Sequence, residues 1–268
     1  DRKERRARRV ISKASKPINL SFTINVWAKY REDLNQIVEN ILIMFNPSLD
    51  FKTKNSTNTK AFIEQVTDTS VANVSDSMWR LTAGGSRLRP MHKSGQMAGP
   101  ALTVKSRPGD NLMLHKAIDM AEPGDIIVCD AGGDLTNSLM GELMLAHAIK
   151  RGVGGFVLDG AVRDVEAFLE VNLPVFAAGV SHRGPYKDGP GEINVSVAID
   201  GMVIEPGDLV IGDWDGVLSI PLDDVESILK KTNEKQAAEA VDMAKIEAGE
   251  WDRSWVDKTL KDRGCIMP

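Results

Sequence analysis

The sequence predicts an α/β fold with a helix-covered parallel layer of strands, followed by a second layer of strands. Between residues 99 and 179, short apolar runs alternate with amphipathic helical segments, which is typical of βαβ units. From residue 192 to residue 221, short strands are instead divided by Gly, Pro and Asp, as in antiparallel hairpins. An amphipathic segment over residues 222–248 then predicts a long C-terminal helix.

The individual elements follow from their apolar patterns. In the alternating part, strands are predicted at "GPALTVKS", "DIIVCD", "GGFVLD" and "PVFAAG", with helices at "NLMLHKAIDMA", "GELMLAHAIKRG" and "DVEAFLEVN". A helix is also predicted for "AFIEQVTDTSVANVSDSMWRL", and "AGGDLTNS" is expected to be a glycine-containing loop. The later strands are predicted at "EINVSVAID", "MVIEPGDLVIGD" and "GVLSIP".

The chain is expected to have two parts, an N-terminal extension over residues 1–60 and a main domain over residues 61–268. The extension starts with the basic run "DRKERRARR", which is interpreted as a solvated arm or, alternatively, as an interaction tail. Its polar end, "NPSLDFKTKNSTNTK", is typical of a linker. Residues 29–51 resemble parts of phage tail-assembly proteins, which would make the chain a fusion or an artefact of gene assembly.

The charge and composition of the 268 residues limit the partners of the protein. The net charge of −5 and the pI of about 5.5 argue against nucleic acid or an anionic membrane, since both attract basic surfaces. Two cysteines, Cys129 and Cys265, are too few for a disulfide framework and indicate a reducing compartment. No apolar stretch approaches the roughly 18 residues of a membrane span. We therefore expect a cytoplasmic protein without nucleic-acid or membrane partners.

A first candidate site lies at "MGELM", where a helix opens after the predicted loop "AGGDLTNS". The free backbone N–H groups of such a helix start can bind an anion. The alternative is structural, with Glu142 only complementing the helix dipole and the loop glycines only allowing the turn. The loop lacks the G-x-G-x-x-G spacing of dinucleotide-binding proteins, which argues against a nucleotide-dependent enzyme.

A second candidate site is the pair Arg163 and Asp164, which follows the next strand, "GGFVLD". Neighbouring parallel strands end at the same edge of a sheet, so Glu142 and this pair are expected to converge. Two carboxylates beside helix amides can hold Mg²⁺ or Mn²⁺, and the guanidinium would remain free to bind an anionic substrate. The alternative is that Asp164 is a helix N-cap and Arg163 a surface side chain.

The spacing of these residues resembles a known signature. Glu142, twenty intervening residues and then Arg163-Asp164 resemble the acidic-x20-Arg-Asp motif of class II pyruvate aldolases. These enzymes cleave 4-hydroxy-4-methyl-2-oxoglutarate and 4-carboxy-4-hydroxy-2-oxoadipate, and their family includes the regulator of ribonuclease activity A. The similarity covers roughly residues 62–264 and includes "GPALTV", "DNLMLHKAI", "PGDIIVCDAGG", "DGAVRDV", "PGDLVIGDWDGV" and "WDRSWVD".

The resemblance implies a role for each residue of the motif. Asp164 would ligate the divalent cation, and Arg163 would bind the pyruvyl part of the substrate. Glu142 would hold a water of the metal shell, and Glu239 of a neighbouring subunit would complete that shell.

The residues around the opening of the helix also receive a role by resemblance. The segment that starts at Gly141 would bind substrate, because the amides of Leu143 and Met144 would receive the pyruvate carboxylate. The implied fold is a β/β/α sandwich of the swivelling-domain type, assembled as homotrimers or hexamers with sites between subunits. This fold agrees with the two strand layers predicted above.

Two functions of different class follow from the resemblance. The first is a metal-dependent aldolase for 4-hydroxy-2-oxo acids, with oxaloacetate decarboxylation as a side activity. The alternative is a non-catalytic regulator that binds a ribonuclease. A carboxylate at Asp164 favours the enzyme, whereas Glu142 in place of the usual aspartate leaves the water geometry and the substrate choice open.

Two histidines and one long loop remain to be interpreted. His115 and His147 lie on helical segments without metal-ligand spacing and are interpreted as packed or surface residues. The loop "SHRGPYKDGPGE" is expected to supply contacts to the distal part of a substrate, at a position that the sequence does not define.

Overall fold

The computed structural model describes Ile63, residues 69–80 and residues 84–266, and all elements below lie in these ranges. The helices are α1 (Val71–Ser77), α2 (Leu112–Met120), α3 (Glu142–Arg151), α4 (Val165–Val171), α5 (Val225–Ala248, after a 3₁₀ turn at Leu222–Asp224) and α6 (Ser254–Asp262). The strands are β1 (Arg89–Pro90), β2 (Met97–Ser106), β3 (Ile126–Met140), β4 (Gly155–Val162), β5 (Val175–Val180), β6 (Gly191–Ile193), β7 (Val197–Ile199), β8 (Met202–Ile204), β9 (Leu209–Asp213) and β10 (Gly216–Ile220).

The main sheet is mixed, with strand order β1-β5-β4-β3-β2-β9-β10 and with β6 paired to β2. Strands β2 to β5 run parallel to their neighbours in the centre. The pairings of β1, β6, β9 and β10 are antiparallel. The structure thus confirms the predicted α/β fold, with a parallel centre made from the alternating half of the chain.

Strand β2 connects two layers of strands. Its first residues, Met97–Pro100, pair with β9, and its later residues pair with β3 and β6. Strand β9 then packs over the sheet, because a Cβ at Gly212 would lie 2.7 Å from the ring of Phe176 on β5. The hairpin β7–β8 forms a separate two-stranded sheet. Glycine at residue 212 therefore permits the close packing between the layers.

Each face of the parallel strands contributes to its own hydrophobic core. Helices α2, α3 and α4 cover one face, where Leu114, Leu145 and Phe168 pack against residues of β2 to β5. The other face packs against α1, the start of α5 and the strands from β7 to β10. Side chains alternate between the two faces along each strand, so residues on both faces of the central strands are buried. Strand β4 is buried along its whole length.

Helix α3 positions the first candidate site. It has Glu142 in the first turn and Lys150 and Arg151 in the last turn, which matches the charges to the helix dipole. It ends at Gly152, which adopts a left-handed conformation and donates its N–H to the carbonyls of Ala148 and Ile149. These local signals account for the agreement between the predicted and observed bounds of the helix.

The expected loop "AGGDLTNS" is the main local correction. Strand β3 continues through it to Met140, paired with β4 but with register shifts between Asp130 and Asp134 and again around Ser138. Gly132 and Gly133 adopt positive φ angles of 68° and 70°, so the glycines serve an irregular strand rather than a free loop. The strand therefore leads directly into Gly141 and the start of α3.

Other predictions differ in extent or lie outside the described residues. Within the long helix predicted from residue 61, the structure describes Ile63 as helical and residues 71–77 as helix α1. Helix α6 was not predicted from its pattern. The boundary between residues 60 and 61 lies outside the described residues and stays a prediction. Among the helices that the structure describes, none has the length and apolar character required to span a bilayer.

Candidate functional site

The ends of β3 and β4 bring the two predicted motifs together. Met140 and Val162 are register partners at the end of the two parallel strands. The backbone N–H of Arg163 donates to the carbonyl of Met140 at 2.9 Å. The backbone N–H of Glu142 donates to Oδ2 of Asp164 at 3.1 Å. The expected convergence of Glu142 with the Arg163-Asp164 pair is therefore present in the structure.

Asp164 serves a different helix from the one it precedes. It occupies the N-cap position of α4, but its side chain makes no capping hydrogen bond there. Its backbone is left-handed, with φ at 57°, a conformation that costs a non-glycine residue roughly 1–2 kcal/mol. This turn directs the carboxylate to α3, where it caps Glu142. The alternative interpretation of Asp164 as the N-cap of the helix that follows it is therefore wrong for α4. The side chain does act as a cap, but of α3.

Arg163 lies beside the same carboxylate, with its Nε 3.5 Å from Oδ2 of Asp164. Adjacent residues can approach in this way because β4 ends at Val162. Gly141 fits into the angle between them, and a Cβ there would lie 2.5 Å from Oδ2 of Asp164 and 3.0 Å from Nε of Arg163. Gly141 has φ at −147°, so glycine is required here by space and not by backbone conformation.

The start of α3 offers free amides to an anion. Glu142 donates to Asp164, and Leu145 donates to the carbonyl of Gly141. No described residue supplies an acceptor to the N–H groups of Leu143 and Met144. Both residues line a cavity of about 100 Å³ together with Gly141 and Arg163. The geometry thus allows the two predicted amides to bind a carboxylate beside a guanidinium.

Asn111, His115 and Lys187 also line this small cavity and were not assigned to the site from the sequence. Asn111 directly precedes α2, His115 lies on α2, and Lys187 lies in the 181–190 loop, which is part of "SHRGPYKDGPGE". The Nδ2 of Asn111 donates to the carbonyl of Leu139 at 2.8 Å. His115, interpreted above as a packed or surface residue, is a wall of the cavity. The sequence held a signal for Lys187, since the loop was expected to approach the substrate.

The electrostatic character of the small cavity is cationic. Burial lowers the pKa of His115 below its usual value, and the charge of Lys187 lowers it further against the opposing effect of Asp119. Lys187 and Arg163 are the cations of the cavity lining, so a bound anion would face two positive side chains. The cavity is therefore suited to a small carboxylate.

A wider and acidic cavity of about 680 Å³ is also lined by Arg163. Arg163 and Glu142 border it together with Asp164, and Val180 and His182 contribute from β5 and the loop that follows. Helix α4 adds two further carboxylates, Glu166 and Glu170. Arg163 thus borders both a cationic cavity and an acidic one.

The acidic side has oxygen donors of the kind that Mg²⁺ and Mn²⁺ prefer. Oδ2 of Asp164 is used by Glu142, while none of the described residues forms a hydrogen bond with Oδ1. The described residues contain no cluster of three or more His, Cys, Asp or Glu that could hold a metal on its own. Mg²⁺ commonly binds through one or two carboxylates and completes its shell with water and substrate oxygens. The residues present fit a cation held in that way.

Glu239, the remaining predicted site residue, lies on α5 away from these cavities within its own chain. Its carboxylate accepts a hydrogen bond from Nδ2 of Asn73 at 2.8 Å and pairs with Lys235 at 3.2 Å. These contacts hold its pKa below the usual value. Its predicted contact with the metal shell of a neighbouring subunit stays a prediction.

Comparison with known proteins places this geometry in a family. Residues 71–219 match the RraA-like model, described as Aldolase/RraA. A protein of Halalkalibacterium halodurans named "Putative 4-hydroxy-4-methyl-2-oxoglutarate aldolase" is 42% identical over 176 residues, which cover 66% of this chain and 84% of that protein. A Vibrio cholerae protein of the same name is 33% identical over 132 residues, covering 48% of this chain and 81% of that protein.

Solved structures agree with this match. The RNA-processing inhibitor RraA from Thermus thermophilis superimposes with a TM-score of 0.53 at 27% identity, covering 57% of this chain and 92% of that one. The N-terminal part matches a different model, the T4-like virus Myoviridae tail sheath stabiliser, over residues 1–78. This second match is in keeping with the phage resemblance of residues 29–51. Through residues 71–219, the chain belongs to the Aldolase/RraA family.

Proposed function

We propose that the protein is a divalent-metal-dependent aldolase that cleaves 4-hydroxy-2-oxo acids to pyruvate and a second oxo compound. The substrates would be of the 4-hydroxy-4-methyl-2-oxoglutarate or 4-carboxy-4-hydroxy-2-oxoadipate type, with oxaloacetate decarboxylation as a second activity. The main support for the proposal is the hydrogen bond from the Glu142 N–H to Asp164. This bond places a carboxylate, a guanidinium and free helix amides next to one another. The names of the bacterial relatives support the same reaction class.

The small cavity would hold the pyruvyl end of the substrate. Its carboxylate would accept hydrogen bonds from the N–H groups of Leu143 and Met144 at the positive end of α3. Arg163 would then lie beside the 2-oxo oxygen, where negative charge develops as the enolate forms. A guanidinium that is already oriented by Asp164 needs little rearrangement to stabilise that charge.

The acidic cavity would hold Mg²⁺ or Mn²⁺ through Oδ1 of Asp164, with Glu142 and a neighbouring subunit's Glu239 placed to bind its water shell. When bound, such a cation supplies Lewis-acid stabilisation of the enolate oxygen. In this arrangement Arg163 and the cation that Asp164 would hold would both stabilise the negative charge that develops on the 2-oxo oxygen. Glu142 has a longer side chain than aspartate, so it can reach further into the cavity.

The proton balance of the cleavage assigns a task to Glu142. A base must accept the proton of the 4-hydroxyl while the C3–C4 bond breaks and its electron pair enters the enolate. Glu142 can accept this proton directly or through one water molecule. The enolate is then protonated at C3 and leaves as pyruvate. In oxaloacetate the same bond breaks with release of carbon dioxide, which accounts for the second activity.

Lys187 and His115 line the same small cavity and would lie beside the pyruvyl end of the substrate. The charge of Lys187 would add to that of Arg163 in holding the pyruvyl carboxylate. We further propose a homotrimer or hexamer in the cytoplasm, without nucleic-acid or membrane partners. The acidic composition supports the absence of nucleic-acid and membrane partners, and the exposed later part of α5 is open to contact with a neighbouring subunit.

The test is the release of pyruvate from oxaloacetate and from 4-hydroxy-4-methyl-2-oxoglutarate, followed by a lactate dehydrogenase couple. Each assay contains Mg²⁺ or Mn²⁺, or EDTA, and a matched mixture without protein corrects for metal-driven decay of oxaloacetate. Pyruvate formation that needs both the protein and the metal supports the proposal. Absence of turnover on both substrates with metal present would reject it.

The second candidate function is inhibition of a ribonuclease. It is favoured by the similarity to the RNA-processing inhibitor of Thermus thermophilis. The carboxylate of Asp164 in the acidic cavity favours the enzyme, because a protein-binding surface has no need of this oriented group. An assay of RNA cleavage by an endoribonuclease of the E type, with and without the protein, tests the second candidate directly.

A further inference from the structure

Asp110 is a fully buried carboxylate next to the small cavity, between the end of β2 and the start of α2. Its Oδ1 accepts a hydrogen bond from the N–H of Leu112 at 2.9 Å. Its Oδ2 accepts two more, from the N–H groups of Asp188 at 2.7 Å and Gly189 at 2.9 Å. One carboxylate therefore joins the first turn of α2 to the 181–190 loop.

Both segments line the cavity, and each is called a wall of it here. The α2 wall contributes Asn111 and His115, and the loop wall contributes Pro185 and Lys187. The backbone reinforces the same junction, because Asn111 donates to the carbonyl of Tyr186 at 3.0 Å and Tyr186 donates to Gly109 at 2.9 Å. Among the contacts described at this junction, Asp110 is the side chain whose carboxylate binds both walls.

These three contacts require that both side-chain oxygens of residue 110 accept hydrogen bonds. A buried carboxylate is costly unless its oxygens receive hydrogen bonds, and three backbone donors supply them here. Asparagine has the same shape, but its NH₂ group would face a backbone N–H on one of the two sides. The isosteric amide therefore cannot hold both walls at once.

We propose that Asp110 is a positioning residue of the oxo-acid site, which fixes the spacing between the α2 wall and Lys187 and so sets the affinity for the substrate. This inference rests on the aldolase function proposed above. Asp110 acts through Lys187 and Asn111 and does not itself line the cavity.

The ionisation of Asp110 agrees with this role. Burial raises its pKa, but the backbone hydrogen bonds of Leu112, Asp188 and Gly189, together with the charge of Arg107, lower it more. The net shift is downwards, so the carboxylate stays ionised at neutral pH. The Arg107 guanidinium also stacks 5.7 Å from the ring centroid of Tyr186 in the same loop.

The experiment measures kcat and KM for oxaloacetate in the wild type and in Asp110→Asn. The matched control is Asp125→Asn, because Asp125 is also a buried turn carboxylate, accepts the N–H of Glu122 at 3.0 Å and lies at the start of β3, far along the strand from the site. We expect KM to rise about tenfold in Asp110→Asn with kcat changed less than about threefold, because ground-state and transition-state binding are lost together. The control should keep both constants.

A double mutant tests the route of the effect. If Asp110 acts through Lys187, the rise in KM caused by Asp110→Asn should largely vanish in a Lys187→Ala background. Effects that add fully would show that Asp110 does not act through Lys187 and would overturn the proposed route. A KM for Asp110→Asn equal to that of the control, at equal thermal stability, would overturn the proposal itself.

Amide hydrogen exchange separates this proposal from the aldolase function. In Asp110→Asn, exchange should rise together in the peptides that contain residues 110–115 and 184–190, whether or not the protein turns over oxaloacetate. If the wild type does not turn over oxaloacetate, the aldolase function is rejected. A joint rise in exchange in Asp110→Asn would still support the coupling of the walls. A rise in one segment alone, or in neither, would reject the coupling.

Discussion

The Asp164 carboxylate caps helix α3 through the N–H of Glu142 at 3.1 Å, across two neighbouring strand ends, instead of capping the helix that follows Asp164 in the chain. This relationship fixes the distance between the two motifs without a metal. It leaves Oδ1 of Asp164 without a hydrogen bond to any described residue, and Asp164 lines the acidic cavity. The left-handed backbone of Asp164 is the local strain that makes this arrangement possible.

Gly141→Ala is expected to impair the site with little effect on the fold. The added Cβ would lie 2.5 Å from Oδ2 of Asp164, so the carboxylate has to move and its bond to Glu142 is lost. A displacement of about 1 Å at a reacting group can cost about a hundredfold in rate. We expect a loss of that order in kcat/KM for oxaloacetate, with the circular dichroism spectrum unchanged.

Gly184→Ala is the matched control for this prediction. Its Cβ would lie 3.6 Å from Nη1 of Arg163, which is an ordinary van der Waals contact with the same arginine. This variant should keep its activity. An equal loss in both variants would show that the approach of Gly141 to Asp164 is not the cause.

Lys187→Met should raise the pKa of His115. Burial is the main cause of the lowered value and stays in the variant, whereas the charge of Lys187 is removed. A cation nearby disfavours protonation of the ring, so its removal moves the titration to higher pH. The ring proton signals of His115, followed by NMR between pH 4 and 8 (about two units on either side of an ordinary histidine pKa), measure the shift. An unchanged titration would place Lys187 outside the electrostatic reach of His115.

Arg87→Gln is expected to destabilise the fold. Arg87 lies 2.7 Å from Asp200 and has a 2.8 Å ion-pair contact with the buried Asp159, at an angle that does not meet hydrogen-bond geometry. Loss of the arginine leaves Asp159 without its cation, which should lower the free energy of unfolding by about 1–3 kcal/mol at neutral pH. Urea unfolding of both proteins measures the difference.

The effect of Arg87→Gln should depend on pH. Burial raises the pKa of Asp159, Arg87 lowers it, and Asp130 and Asp200 raise it again, for a net upward shift. The ionised form therefore opposes folding, and protonation in the folded state relieves this cost as the pH falls through the raised pKa. The difference in the free energy of unfolding between variant and wild type should decrease as the pH falls from neutral towards the usual pKa of an aspartate. A difference that increases in acid would contradict the role assigned to Asp159.

The two cysteines should differ in reactivity. Burial, with smaller contributions from Asp130 and Asp159, raises the pKa of the Cys129 thiol to about 12, whereas Cys265 is exposed. The thiolate is the reactive form, so only Cys265 should react with Ellman's reagent in the native protein. Both should react after unfolding in guanidinium chloride. Rapid reaction of two thiols in the native protein would contradict the buried position of Cys129.

The sequence could predict the convergence of Glu142 with Arg163 and Asp164 because it depends only on strand order. Alternating strands and helices imply parallel strands, and the ends of neighbouring parallel strands meet at one edge. The bounds of α3 were predictable for a similar reason, since its dipole charges and Gly152 are local signals. Features that depend on spacing along one strand or helix were accessible before the structure was known.

Features set by distant contacts were not accessible. The continuation of β3 through Gly132 and Gly133 depends on pairing with β4, which overrides the loop character of the segment. The contacts of Asp110 with Asp188 and Gly189 join residues almost eighty positions apart. The direction of the Asp164 side chain depends on a left-handed backbone that aspartate adopts only when its surroundings stabilise it.

The most direct test of Asp164 as the ligand of the catalytic cation compares Asp164→Asn with Glu166→Gln. Asparagine tolerates the left-handed backbone and can still accept the N–H of Glu142, so the fold and the cap are kept while the charge on Oδ1 is removed. Glu166 lies in the same acidic cavity and loses the same charge. The measurement is Mg²⁺-dependent pyruvate formation from oxaloacetate. We expect a loss of about a hundredfold or more in Asp164→Asn and a change within about threefold in Glu166→Gln. Equal activity of the two variants would show that the reaction does not need the charge of Asp164.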